Sequence, residues 1–171
     1  MNSSALHIRG AADADLLLLN GLAAAHGYKE TDYFTRCLQE RTDGRRSIFV
    51  AETQDGAGAG YVMLNRLSRY QPFRSVNIPE IQDLFVLPAF RRHGTGQALI
   101  AACEAAARAE QKTMIGLAVG LHAAYGAAQR LYVRMGYLPD GFGIVYDCEQ
   151  VPPGALRAVD DQLCLMMIKD L

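Results

Sequence analysis

Two arginines, a histidine and two glycines fall within six residues, Arg91-Arg92-His93-Gly94-Thr95-Gly96, directly before an alanine-rich segment. A strand, a glycine-bearing turn and a helix start together make an anion site. The helix N-terminus offers amides without intrahelical partners and a partial positive charge, and glycine lets a ligand approach the backbone closely. Here the strand is QDLFVL, the turn is PAFRRHGTG, and Arg91 and Arg92 add formal charge. The chemistry is that of a phosphate or pyrophosphate cradle, although an ordinary turn with solvated arginines accounts for these six residues alone equally well. A Walker loop is excluded, because no Gly-Lys-Ser/Thr follows. A dinucleotide fingerprint lacks its third glycine, since Leu99 stands there, and the segment lies late in the chain.

Other reactive side chains surround this stretch. Glu80 and Asp83 stand three apart in an apolar segment, so strand alternation puts them on opposite faces and excludes a paired-carboxylate site. Tyr125, Gln129 and Tyr132 share one helix face at i, i+4 and i+7. The four cysteines, Cys37, Cys103, Cys148 and Cys164, are scattered without a CxxC pair or a histidine at ligand spacing. They read as reduced structural thiols, and no metal site is expected.

These residues need elements to hold them. LHIR (6–9) alternates as a strand, and Asp13 and Asp15 open a helix whose LLLL run predicts thorough burial, with Gly27 as its stop. Thr31 and Asp32 begin a second amphipathic segment through Glu40. SIFVAET (47–53) and YVMLNRL (61–67) form an expected hairpin across QDGAGAG. Strand 78–87, ended by Pro88, precedes a helix from about Gly94 to Ala109, a short strand 114–120 and a helix closed at Gly136. GIVY and QLCLMMIK read as final strands separated by the loop DCEQVPPGALRAVDD. The order predicts one α/β domain, 1–171, with a mixed sheet.

With 17 basic against 18 acidic residues and a net charge of −1, bulk attraction to nucleic acid or an anionic membrane is not expected. The N-terminus lacks a basic segment followed by an apolar run of signal-peptide length, and no apolar run has membrane-spanning length. A cytoplasmic protein is expected.

DLFVLPAFRRHGTGQAL resembles the coenzyme A-binding motif of the GNAT (GCN5-related) N-acetyltransferase superfamily, Arg/Gln-x-x-Gly-x-Gly/Ala after a strand. Ala128-Gln129-Arg130-Leu131-Tyr132 with Gly136-Tyr137 resembles its second motif. The resemblance is clearest from about residue 47 to 138. It implies a GNAT fold: a mixed, mostly antiparallel sheet of six or seven strands, about four flanking helices, and a splayed V between the fourth and fifth strands. It also implies acetyl-CoA as cosubstrate, with acetyl passed directly to a primary amine in a ternary complex.

By that resemblance, main-chain groups of Phe85, Val86 and Leu87 would pair with the pantetheine arm. Arg91, Arg92, His93, Gly94, Thr95, Gly96 and Gln97 would hold the pyrophosphate. Tyr132 takes the general-acid position, Glu80 aligns with the general base of one branch, and Asp83 is the fallback base. Many members carry Asn where this chain has Tyr125, so the contact near pantetheine assigned to Tyr125 and Gln129 is altered. His122 is a further candidate base or substrate ligand, and Arg66, Arg69, Tyr70 and Arg74 could favour an anionic acceptor. A small-molecule amine is the favoured acceptor, with a peptide or protein amine as alternative. An acyl-CoA sensor without turnover and a nucleotide-binding protein are the other readings. The acceptor pocket would draw on Tyr28, Tyr33, Phe34, Phe73, Phe142 and Tyr146. A homodimer is also in view, since the apolar terminal strand could be shared.

Overall fold

The computed structural model describes residues 6–27 and 32–171, so Tyr28 and Thr31 lie outside the described residues. The chain divides into two compact units, one formed by 1–65 and 81–106, the other by 66–80 and 107–171. Eight strands and five α-helices occur among the described residues, one or two more strands and one more helix than the sequence predicts.

In the first unit, strands β1 (His7–Gly10), β2 (Arg46–Glu52), β3 (Gly58–Asn65) and β4 (Glu80–Val86) lie in that order, with β1/β2 and β2/β3 antiparallel; only Glu80 of β4 belongs to the second unit. Helices α1 (Leu16–His26) and α2 (Tyr33–Thr42) supply Leu19, Leu22, Phe34 and Leu38 to a core shared with Ile48, Val50, Tyr61 and Phe85. Gly27 stops α1 in the left-handed region, φ 89°, as expected of a C-cap glycine. The LLLL run is not buried throughout. Leu19 is fully covered whereas Leu17 is 84 % exposed, because four consecutive helical residues sweep about 300° and one of them must face out.

Strand β3 starts earlier than predicted and takes up Gly58 and Gly60. Gly60 is required there: a Cβ would lie 2.4 Å from the carbonyl oxygen of Phe85. The Leu87 amide donates to Ala59 carbonyl at 2.9 Å, fixing the same approach. Helix α4 (Thr95–Ala109) follows, burying Leu99, Ile100, Cys103 and Ala107 on one face.

In the second unit the order is β5 (Met114–Gly120), β8 (Leu163–Asp170), β6 (Leu138–Tyr146) and β7 (Glu149–Gln150), all neighbours antiparallel. The terminal strand β8 is therefore paired on both edges and is not free to be shared. A two-residue turn, Asp147-Cys148, joins β6 to β7 with both residues at positive φ (48° and 65°), the geometry of a type I′ hairpin. The pattern predicts loop here, because Asp147 is followed by Cys148 where such turns favour glycine. Helix α3 (Gln71–Ser75), with proline in its first turn, was also read only as a connection. Helix α5 (Gly126–Arg134) ends just before Gly136 as expected.

Candidate active site

The loop RRHGTG sits between β4 and α4 as predicted. Arg91, Arg92, His93 and Gly94 are exposed, with Arg92 and Gly94 at φ 65° and 83°. The Ala98 amide is the first to bond back into the helix, to Gly94 carbonyl at 2.9 Å, so the amides of Thr95, Gly96 and Gln97 precede the intrahelical ladder. Thr95 is buried, and its hydroxyl donates to Phe90 carbonyl at 2.9 Å, which locks the turn. Exposed cationic side chains and amides ahead of a helix suit a pyrophosphate. Arg91 Nε donates to Val86 carbonyl at 2.8 Å, so that acceptor on the strand is occupied by the chain itself. The Phe85 side chain is core, stacked on His26 at 4.5 Å, and leaves only main-chain groups for a ligand.

Asp83 has φ 53°, a local irregularity in β4, and Glu80 and Asp83 meet different partners, Ser68 and Tyr33. The Tyr33 hydroxyl of α2 donates to Asp83 Oδ2, and burial together with that carboxylate pushes the Tyr33 phenol well above its ordinary range. Near it, Arg46 donates to Glu40 at 2.7 Å and to Gln82 at 3.1 Å. Tyr33 was legible only as one aromatic among six; nothing in the sequence linked it to a residue 50 positions away.

In the second unit, Glu80 is buried at 4 % exposure and accepts a hydrogen bond from Ser68 Oγ at 2.5 Å. Ser68 in turn accepts the Tyr70 amide at 3.0 Å. This is a held, water-poor carboxylate. Tyr132 on α5 is 7 % exposed, and burial alone pushes its phenol up to about 12. Its hydroxyl has no hydrogen-bond partner among the described residues. It lies edge-on to Tyr137, ring centroids 6.1 Å apart.

Tyr125 fills the space over Gly120, whose added Cβ would fall 2.4 Å from the ring. Its hydroxyl donates to Asp161 Oδ1 at 2.9 Å, and His122 Nε2 stands 2.9 Å from the same oxygen. Burial, with help from Asp161, raises the Tyr125 phenol to about 12. Gln129 donates to Gly120 carbonyl at 2.8 Å, so its amide braces the end of β5. Arg66 is paired bidentately with Glu110 (3.0 and 2.9 Å to Nε), and Arg69 with Asp147 at 3.1 Å. Those charges are already neutralised locally, which weakens the expectation that they attract an anionic acceptor.

No disulfide joins Cys37, Cys103, Cys148 and Cys164, and burial raises the thiols of Cys37, Cys148 and Cys164, Cys164 to about 11. They are poor nucleophiles at neutral pH. Among the described residues no group of three or more His, Cys, Asp or Glu side chains could hold a metal ion, and no helix is long and apolar enough to cross a membrane.

The second unit also contains a cavity of about 820 Å³. Helix α3 gives it Phe73, and the strand β6 gives Asp140 and Phe142. The Tyr70 hydroxyl donates to Asp140 Oδ2 at 2.8 Å, and the Phe142 amide donates to Oδ1 at 3.0 Å.

The profile of the acetyltransferase (GNAT) domain matches residues 44–139, more than half of the chain. The chain belongs to the GNAT acetyltransferase family. A search of curated proteins found no relative. Among solved structures, this GNAT chain is similar to the ribosomal-protein-alanine N-acetyltransferase of Brucella melitensis, at 21 % identity and TM-score 0.70, covering 96 % of this chain and 99 % of that one. It is similar to yncA of Salmonella typhimurium, solved with its cofactor acetyl-CoA, at 20 % identity and TM-score 0.70, covering 98 % and 94 %. It is also similar to the spermidine N-acetyltransferase of Vibrio cholerae in complex with CoA and spermine, at 19 % identity and TM-score 0.67, covering 99 % and 96 %. The fold is the GNAT fold, and the chain is an acetyl-CoA-dependent N-acetyltransferase that uses acetyl-CoA as cosubstrate.

Proposed function

We propose that this GNAT enzyme, working as a single domain over residues 1–171, moves acetyl from acetyl-CoA directly to a primary amine of a small molecule. The observation that carries the catalytic half is Tyr132: a buried phenol, raised to about 12 and without a hydrogen-bond partner, is protonated at neutral pH and free to donate. In this reading Tyr132 gives its proton to the departing thiolate of coenzyme A, so that sulfur leaves as a thiol. Glu80 takes a proton from the substrate ammonium so that the neutral amine attacks the thioester carbonyl, the second proton lost by that nitrogen restores Tyr132, and Asp83 is the alternative base. Arg92 to Gln97 hold the pyrophosphate with their amides, and Arg91 must release Val86 carbonyl before that group can serve the pantetheine arm. Phe85 and Leu87 contribute main-chain groups, and Tyr125 and Gln129 shape the end of β5. A cytoplasmic location and a homodimer belong to the same proposal.

An amine acceptor is supported by the cavity of the second unit, where two carboxylates, Asp140 and Glu149, and no lysine, arginine or histidine meet the space. The test is free-thiol release from acetyl-CoA across polyamines, amino acids, aminoglycosides and short peptides, with a control lacking amine. Release dependent on one small-amine class supports the proposal. Release only with peptides moves the acceptor to a polypeptide, and binding of acetyl-CoA without release on any amine identifies a sensor.

A further inference from the structure

We propose that the 820 Å³ cavity of the second unit is a binding site for an organic cation, an ammonium group carried on an apolar, ring-sized body. Its volume lies within the span of small-molecule sites, about 300–1,000 Å³. Its charge is one-sided. Among the described residues, Asp140 and Glu149 are the only ionic side chains that line it, so an anion would meet two carboxylates and no counter-charge there. Asp140 is also held in place: one oxygen accepts from Tyr70 and the other from the Phe142 amide. A carboxylate has about four acceptor positions, so two remain on Asp140 for a ligand N–H.

The rest of the cavity calls for an apolar body. Phe73 forms a floor at 2 % exposure, wedged over Gly116, where an added Cβ would fall 2.2 Å from its ring. Only glycine at 116 permits this seat. Half-buried Met114 and Ile168 continue the apolar wall. At the cavity, Phe142 and Val76 are 58 % and 67 % exposed, a large apolar surface left in water. A linear polyamine would satisfy the carboxylates and leave that surface wet. A ring or branched alkyl body bearing one ammonium satisfies both, and the exposed Phe142 ring adds a face on which a cation is attracted.

As a choice of acceptor this binding deepens the reading proposed above, but it is measured without transfer, so the test separates the two. Calorimetric titration of the full chain with 2-phenylethylamine, phenylacetate and 1,4-diaminobutane should rank the aromatic amine first. Phenylacetate should bind at least about tenfold more weakly, the order expected for a charge-assisted hydrogen bond. Phe142→Ala and Glu149→Gln should each weaken the amine several-fold. Asp140→Asn should do so by about tenfold, with a thermal melt to show that it still folds. Equal affinity for acid and amine, no binding of the aromatic amine, or indifference of both Phe142→Ala and Glu149→Gln overturns the proposal. Repeating the titration series with acetyl-CoA and reading thiol release distinguishes an acceptor from an effector. Release with other amines, unaffected by Phe142→Ala, would leave the transferase intact while this site carries no acceptor.

Discussion

Replacing Tyr132 by phenylalanine removes one oxygen and separates a structural role from a catalytic one, because the two predict opposite outcomes. The hydroxyl sits on a side chain only 7 % exposed and has no hydrogen-bond partner among the described residues. That oxygen is not among the buried polar atoms left without a partner, so it reaches solvent and its removal should change stability by no more than about 0.5 kcal/mol. For a chain of this size that is a shift in Tm of at most about 2 °C. The ring keeps its edge contact with Tyr137, so no cavity opens. Turnover should nevertheless fall by about 10²–10⁴, the span of general acid catalysis. Acetyl-CoA affinity, measured by titration without amine, should hold. Because the phenol is raised to about 12, kcat should show no alkaline decline from this group below about pH 11. A variant that turns over like the parent while melting lower would place Tyr132 in the core and refute the assignment.

Three other outcomes follow from the same geometry. Gly60→Ala forces a methyl to within 2.4 Å of Phe85 carbonyl, and backbone must move; a loss of about 1–3 kcal/mol in a thermal melt and weaker acetyl-CoA binding are expected. Tyr132 and Tyr125 have phenols raised from 10.0 to about 12, so between pH 10 and 12 the folded chain holds protons that the unfolded chain has lost. Stability is then fully present below pH 10 and declines as pH rises through 12, by about 3 kcal/mol for Tyr132 and less for the more exposed Tyr125; urea unfolding at stepped pH reads this slope. Glu80→Gln retains an acceptor for Ser68 yet removes the base, so turnover should fall by about 10² or more while Asp83→Asn changes less; the reverse ranking would transfer the role to Asp83.

The parts of the site that could be read from sequence are those fixed by local rules. The glycines and arginines of RRHGTG had to lie at a helix start, because a strand ended by proline and an alanine-rich run left them nowhere else. Gly27 and Gly136 marked helix ends for the same local reason. What escaped was set by partners distant in the chain. Asp83 meets Tyr33, 50 residues earlier, and its positive φ is a local irregularity that no pattern marks. Helix α3 and the Asp147-Cys148 turn escaped because five residues, or two non-glycine residues, carry too little pattern to be distinguished from loop.

Asp140 shows how such a residue acquires meaning. In sequence it is one of 18 acids, in a glycine-flanked run typical of a surface turn. In the fold it accepts from Tyr70, 70 residues away, and from an amide two residues on, so a carboxylate that would wave in solvent is fixed at an apolar cavity. Fixing matters because an ordered charge beside buried rings discriminates between ligands, whereas a mobile one in water attracts every cation weakly. The transfer chemistry belongs to the motifs that could be read, and the choice of amine belongs to contacts of this long-range kind. If the proposed cation site holds the acceptor, the choice of amine rests on the pairing of Tyr70 with Asp140, where no motif marks it.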